Sequence, residues 1–255
     1  LTGLFYRARS GPPGFDSIKS LDLGRRLWYH KISAQVDARK KNKAVIMDLK
    51  TLLILFLLFF LAIFCMKSTI LVFAADKGVN ELAKAMIMIG ADVNAKNSAG
   101  ESPVIFASAK RNKRMVKYYI EKGASLDSRG GGADSQWTLL MAASKEKDID
   151  MVKYLVEKGA DVNARNAKGI NALYGVDDIE IARFLVEKGT DVNAAAQNGA
   201  APLKVARNID VIKLLIKKGA NVNAKTDKGT SLLADALEKK EYEKANLLEA
   251  AGAKK

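Results

Sequence analysis

Apolar positions along this chain fall into short helical stripes that end, six times, at a glycine. Ile149, Val152, Leu155 and Val156 sit at helical spacing and make one apolar face, while Glu157 and Lys158 take the solvent side. Gly159 then stops the helix, because glycine enters the left-handed region without a Cβ clash. Asp161 and Asn163 turn the chain outward with short polar side chains that bond nearby backbone. The same succession surrounds Gly90, Gly123, Gly189, Gly219 and Gly252, with shorter steps into Gly189 and Gly219 than elsewhere. A recurrence of about 33 residues marks a stacked-repeat protein. One such unit cannot bury its own apolar face; a row of six can.

A second, shorter helix aligns upstream of each glycine. Thr69, Ser102, Thr138 and Ser231 each open it, at one fixed distance ahead of Gly90, Gly123, Gly159 and Gly252. Alanines in the middle of this helix let neighbouring repeats approach closely. Repeats four and five, around Asn171 and Ala201, are about three residues short here. A helical turn is expected to be missing from both, with a looser stack and altered curvature. Extra residues between Arg129 and Asp134, including Gly130, Gly131 and Gly132, predict an enlarged, flexible loop before repeat three.

The pattern resembles the ankyrin repeat family, which runs Thr-Pro-Leu-His-x-Ala-Ala, then Gly-His, then Leu-Leu-x-x-Gly-Ala-Asp-Val-Asn. The resemblance covers Lys67 to the C-terminus. Departures are clear: only Pro103 and Pro202 keep the proline, and Val72, Ile105, Met141, Tyr174, Lys204 and Ala234 replace the histidine. The resemblance implies an all-α ankyrin solenoid of about six stacked helix-turn-helix units, at about 67–99, 100–132, 133–168, 169–198, 199–228 and 229–255. It implies a non-enzymatic scaffold, monomeric, that binds another protein on the concave surface of finger tips and inner helices. By alignment the partner-facing positions are Ser98, Ala99, Glu101, Ala109 and Lys110, then Ser135, Trp137, Lys145 and Glu146. Later repeats add Ala167, Lys168, Ile170, Asn198, Ala200, Asp227, Lys228 and Thr230. Trp137 is the candidate anchor, since tryptophans concentrate binding energy at interfaces; Tyr174 is expected in the core.

Ahead of the repeats, residues 51–66 run without a charge, bracketed by Lys50 and Lys67. As a helix this run spans ~24 Å against a hydrocarbon core of ~30 Å. Snorkelling by the two lysines extends its reach. Residues 47–66 are therefore expected to target a membrane, as a signal peptide or a transmembrane signal-anchor. Cleavage after Ala74 would fit a small-residue site but would remove the first inner helix, so both readings stand at this point. Cys65 is expected to be a membrane cysteine, since bulky Phe64 precedes it where a bacterial lipoprotein signal carries a small residue. Residues 1–46 show no periodicity and read as a basic tail, disordered or upstream of a natural start at Met47. Arg39, Lys40, Lys41, Lys43 and Lys50 before the apolar run put the N-terminus in the cytoplasm and the repeats across the membrane, in the periplasm of a bacterium.

Net charge is +14, and residues 1–50 carry eleven Lys and Arg against four acids. The alternative function is therefore electrostatic binding of anionic lipid or nucleic acid, through the tail and Lys110, Arg111, Lys113 and Arg114. Such binding would fall steeply with salt. Trp28 and Tyr29 beside Arg25 and Arg26 are a weak stacking signal, and no specific nucleic acid is expected. With one cysteine, Cys65, and one histidine, His30, no disulfide, zinc cluster or Ser-His pair can form in the repeats. Asp92, Asp161 and Asp191 serve turns about one repeat apart, ~10 Å in packed helices. No catalytic residue, cofactor or metal is expected.

Overall fold

The computed structural model describes residues 16–130, 136–225 and 229–254. The chain divides into two compact units, Leu1–Ala62 and Ile63–Lys255. The described part of the first is helical throughout, as part of α1, Asp16–Lys77. Here the structure departs from the unpatterned reading of residues 1–46: the helix already runs from Asp16. Its Lys, Arg, Ala and Leu content favours helix without requiring an amphipathic stripe, and no proline follows Pro13 before Pro103. Gly11, Pro12, Pro13 and Gly14, which by sequence read as a loop or turn, lie outside the described residues.

The second unit is a row of helix pairs. The last turns of α1 pair with α2 (Asn80–Met88), α3 (Pro103–Ala109) with α4 (Lys113–Glu121), and α5 (Leu139–Lys145) with α6 (Ile149–Glu157). Repeat four has an outer helix, α7 (Ile179–Glu187), but only turns over residues 172–175 in place of an inner one. Repeat five has a four-residue inner helix, α8 (Pro202–Val205), before α9 (Ile209–Lys217); α10 (Leu232–Glu238) and α11 (Tyr242–Ala250) complete the row. The missing turn expected in repeats four and five is thus present as an absent helix and a single-turn helix. Apart from these helices the described residues hold a two-residue strand pair, β1 (Arg129–Gly130) with β2 (Trp137–Thr138), and a bridge from Lys225 to Ser231.

The outer helices of repeats two to five are closed at both ends by local chemistry. Asn112, Asp148, Asp178 and Asn208 accept hydrogen bonds from backbone N–H groups of the first turn. Such caps are each worth about 0.5–2 kcal/mol. At the other end Gly159, at φ 97°, donates to the Val156 carbonyl at 3.0 Å while Ala160 donates to that of Leu155 at 2.9 Å. This pair satisfies carbonyls the helix leaves open, and its geometry requires the left-handed residue.

Between these ends Val152, Leu155, Ile181, Leu185, Ile212 and Leu215 are fully buried, and the inner helices oppose them with Leu139, Leu140, Leu203 and Leu233. One continuous apolar cluster runs from Leu71 to Leu248. In the first repeat Leu71 and Ala74 are at 0% exposure, so the end of α1 is the inner helix expected from Thr69 onward.

Polar side chains stitch one repeat to the next. Asn94 Nδ2 donates to the Gly123 carbonyl at 3.0 Å, and its Oδ1 accepts the Ser125 N–H at 2.8 Å. Asn163 does the same to Gly189 and Asp191, and Asn193 to Gly219 and Asn221. The equivalent position in repeat two is Asp127, which has no amide to donate; among the described residues no such bond leaves it. The loop after Asp127 is instead held as the β1–β2 hairpin, where a Cβ at Gly130 would collide with the Ile105 side chain. The tip of this loop, residues 131–135 with Ser135, lies outside the described residues.

Candidate partner-binding surface

The fingers between repeats are tight, self-bonded turns. Asn97 donates its N–H to the Glu101 carbonyl at 3.0 Å, and its Oδ1 accepts from the Ala99 and Glu101 N–H groups, both at 2.9 Å. Asn166 repeats the arrangement with Ile170 and Lys168. In the next finger Ala196 donates to the Ala200 carbonyl at 3.0 Å, and Asn198 Oδ1 accepts the Ala200 N–H at 3.2 Å. Adjacent fingers also bond to each other: Gln197 donates its backbone N–H to the Lys168 carbonyl at 2.9 Å and its side-chain amide to that of Ala167 at 2.8 Å. The backbone is therefore fixed while the tip side chains vary.

Of the residues aligned to the family's partner face, Ser98, Ala99, Ala109, Lys110, Lys145, Glu146, Lys168, Asn198 and Thr230 are exposed, and Glu101, Trp137 and Ala167 are half-buried. Two fall differently. Ile170 is 5% exposed and Ala200 2%, because each closes its finger turn against the stack. Neither offers a free side chain, and Ile170 serves as wall. Asp227 and Lys228 lie outside the described residues. Tyr174, expected in the core, is only half-buried, because the turn that carries it replaces a helix that would have covered it.

The structure gathers Trp137, Lys145, Lys168, Ile170 and Asn198 around one cavity of about 590 Å³, together with Tyr174, Gly175 and Gln197. Ser98 and Glu101 line a second, of about 680 Å³, with Phe73 and Phe106. The basic cluster behaves otherwise. Arg111 Nε lies 3.0 Å from Glu146 and Lys113 Nζ 2.7 Å from Asp148, so two of its cations tie repeat two to repeat three. The hydrogen bond to Asp148 raises the Lys113 pKa above its ordinary value. Sequence spacing missed the caps and Tyr174's role. A signal existed for the first: Asn112, Asp148, Asp178 and Asn208 each stand at the same distance before a repeat glycine. Among the described residues no group of three or more His, Cys, Asp or Glu could hold a metal ion.

Helix pairs closed by left-handed glycines, stitched by asparagines and crowned by self-bonded fingers define a helical repeat stack with a lined face. The chain carries ankyrin repeats. The family model for three copies of ankyrin repeats matches residues 71–166, and the single ankyrin repeat model matches residues 198–227. The stretch between the two matches contains the repeat without an inner helix. Among solved structures, an ankyrin repeat domain from Acinetobacter baumannii AYE is similar at 25% identity and a TM-score of 0.63, covering 72% of this chain and 98% of that one. None of the curated proteins compared with the chain matches it. Ankyrin repeats are generally protein–protein interaction modules, and proteins of the family are typically non-enzymatic scaffolds.

Proposed function

We propose that this protein is a non-enzymatic scaffold that binds a protein partner on the face made by its fingers and inner helices, while α1 anchors it in a membrane. The observation that carries the binding reading is the row of fingers with one backbone geometry and different tips: Ser98 and Ala99, then Ala167 and Lys168, then Gln197 and Asn198. A fixed frame with variable side chains presents a surface without ordering cost at the moment of binding. Proximity labelling with a ligase fused after Lys255 tests it. A distinct set of labelled proteins is expected to disappear when Lys168 and Asn198 are both changed to Glu; an unchanged set would overturn the assignment of this face.

The anchor reading rests on Leu49–Lys77, a helical stretch of mean hydropathy 2.7 in its most apolar window. Leu52, Leu53, Phe56, Phe59 and Phe60 along it are 54–66% exposed, an apolar surface that a hydrocarbon phase would cover. Retention of the segment is supported by the burial of Leu71, Ala74 and Ala75, since cutting after Ala74 would strip Leu71 and Ala74 from the first repeat's core. Basic residues before the apolar stretch favour repeats on the extracytoplasmic side. The protein is expected to stay with membranes through an alkaline carbonate wash and to keep its residues before Leu71. A mature N-terminus at Ala75 would instead make the segment a cleaved signal.

A further inference from the structure

The cavity lined by repeats three and four exists because repeat four lacks an inner helix. In repeat three α5 continues to Lys145, whereas in repeat four the chain leaves after Tyr174 through Gly175, at φ 72°. The space that the last turn of an inner helix would fill stays open, about 590 Å³. Trp137, Ile170 and Tyr174 give it apolar walls. Its charged lining residues are Lys145 and Lys168, with no Asp or Glu among the described wall residues. The Lys145 ammonium sits 4.8 Å from the centre of the Trp137 ring, a cation–π contact that keeps the charge beside the indole. Two flanking acids are engaged elsewhere: Glu146 with Arg111, and Asp191 with Arg165.

We infer that this cavity receives a large apolar side chain from an acidic linear segment of the partner protein, with carboxylates on either side of that side chain meeting Lys145 and Lys168. The inference rests on the protein-binding reading and names the chemistry the partner presents. A pocket of ~300–1,000 Å³ with apolar walls and few polar groups is of the size that buries one bulky group and orients it. Two lysines with no carboxylate in the same wall reject basic segments and draw acidic ones. Lys168 and Asn198, on adjacent fingers, continue the same surface, so an extended chain crossing both fingers passes over the cavity mouth.

The test is selection of a random linear peptide library on the full-length protein. Affinities of the selected peptides are then read by Trp137 fluorescence in a Trp28→Phe background. Peptides with Asp or Glu flanking one Phe, Trp, Leu or Met are expected, and their binding should quench or shift the indole emission. Lys145→Glu with Lys168→Glu should weaken them by on the order of tenfold or more and turn a repeated selection towards basic peptides. Lys213→Glu with Lys217→Glu, an equal charge change on the exposed side of α9, should leave their affinity in place. Circular dichroism melting verifies that each variant is folded. Acidic peptides that bind the cavity variant as well as the parent would overturn this site while leaving a protein-binding stack. Selection of basic or uncharged peptides by the parent would overturn the assigned chemistry. Failure to select any peptide would overturn the linear-segment occupant, and the proximity-labelling result then decides separately whether the stack binds a folded surface. Competition by free glutamate at the same concentration as the peptides would reassign the cavity to a small anion.

Discussion

Lys244 carries a charge into the core. It is 6% exposed, and its ammonium donates to the carbonyls of Lys204 and Ala206 at 2.8 and 3.1 Å, with Glu241 at 3.5 Å. Those carbonyls belong to the end of α8, which stops after one turn, so the lysine supplies donors that a longer helix would have given. Lys244→Ala should therefore destabilise by about 1–3 kcal/mol in urea unfolding, the cost of leaving buried acceptors unpaired. Burial holds the Lys244 pKa below its ordinary value, against the pull of Glu241. A folded-state pKa below the unfolded one means that the unfolded chain binds more protons in between. The penalty of burying the charge thus stands at neutral pH and is relieved as pH climbs through the folded pKa towards 10.5. Parent protein should gain stability relative to Lys244→Met over that rise. Tyr119 works the other way: burial raises its pKa to about 12, so its contribution is intact below pH 10 and lost above it. Melts taken below pH 10 isolate the lysine. Asp127 is the complementary case, a break in the asparagine stitching. Asp127→Asn supplies the missing amide donor to the Gly159 carbonyl and keeps an acceptor oxygen for the Asp161 N–H, and should add about 1 kcal/mol, or about 2–4 °C in melting temperature. An unchanged or lower melting temperature would show that the β1–β2 hairpin has already replaced the stitch.

The shortened inner helices are the elements that set this stack apart from a regular one. The shorter steps into Gly189 and Gly219 announce them, and the structure turns the first into a bare turn and the second into α8. Three alanines inserted between Tyr174 and Gly175 would restore the full step and let an inner helix form across the cavity mouth. The repeats should remain folded, with melting within a few degrees of the parent, while the peptides selected on the parent lose their affinity. Retained affinity would place their site elsewhere. The end of α1 is a second element with two duties. Leu71, Ala74 and Ala75 belong to the core, while a few turns earlier Phe59, Phe60 and Phe64 are exposed. The residue spacing of both parts is legible in the sequence, since each is a local run. That one helix carries both follows from the absence of glycine or proline between Gly24 and Gly78.

For the stack as a whole, stability is a sum of repeat terms and nearest-neighbour interfaces. Repeat four brings one helix to each of its interfaces instead of two, and repeat five brings a truncated pair. Unfolding should therefore lose two-state character, with the C-terminal repeats melting before repeats one to three in urea. Hydrogen exchange resolved by segment would report this as weaker protection in α9 and α11 than in α4 and α6. Uniform protection, with coincident fluorescence and circular dichroism transitions, would show that Lys244 and the Asn163 and Asn193 stitches compensate fully for the lost helix.

By itself the sequence determined the period, the helix stops, the missing turns and the apolar run, because each is written in residues a few places apart. Trp137, Lys145, Lys168 and Asn198 stood out as candidates through their place in the repeat, and they line one cavity. Only the tertiary structure decided that Ile170 is buried, that Arg111 and Lys113 bind the next repeat, that Lys244 caps α8, and that Tyr174 lines an opening. Each of these depends on a neighbour from another element or an adjoining repeat, so no local run of sequence contains both partners. Periodicity says that repeats stack, but which side chains meet when they do is set by packing, where a short deletion in one unit changes what its neighbours must satisfy.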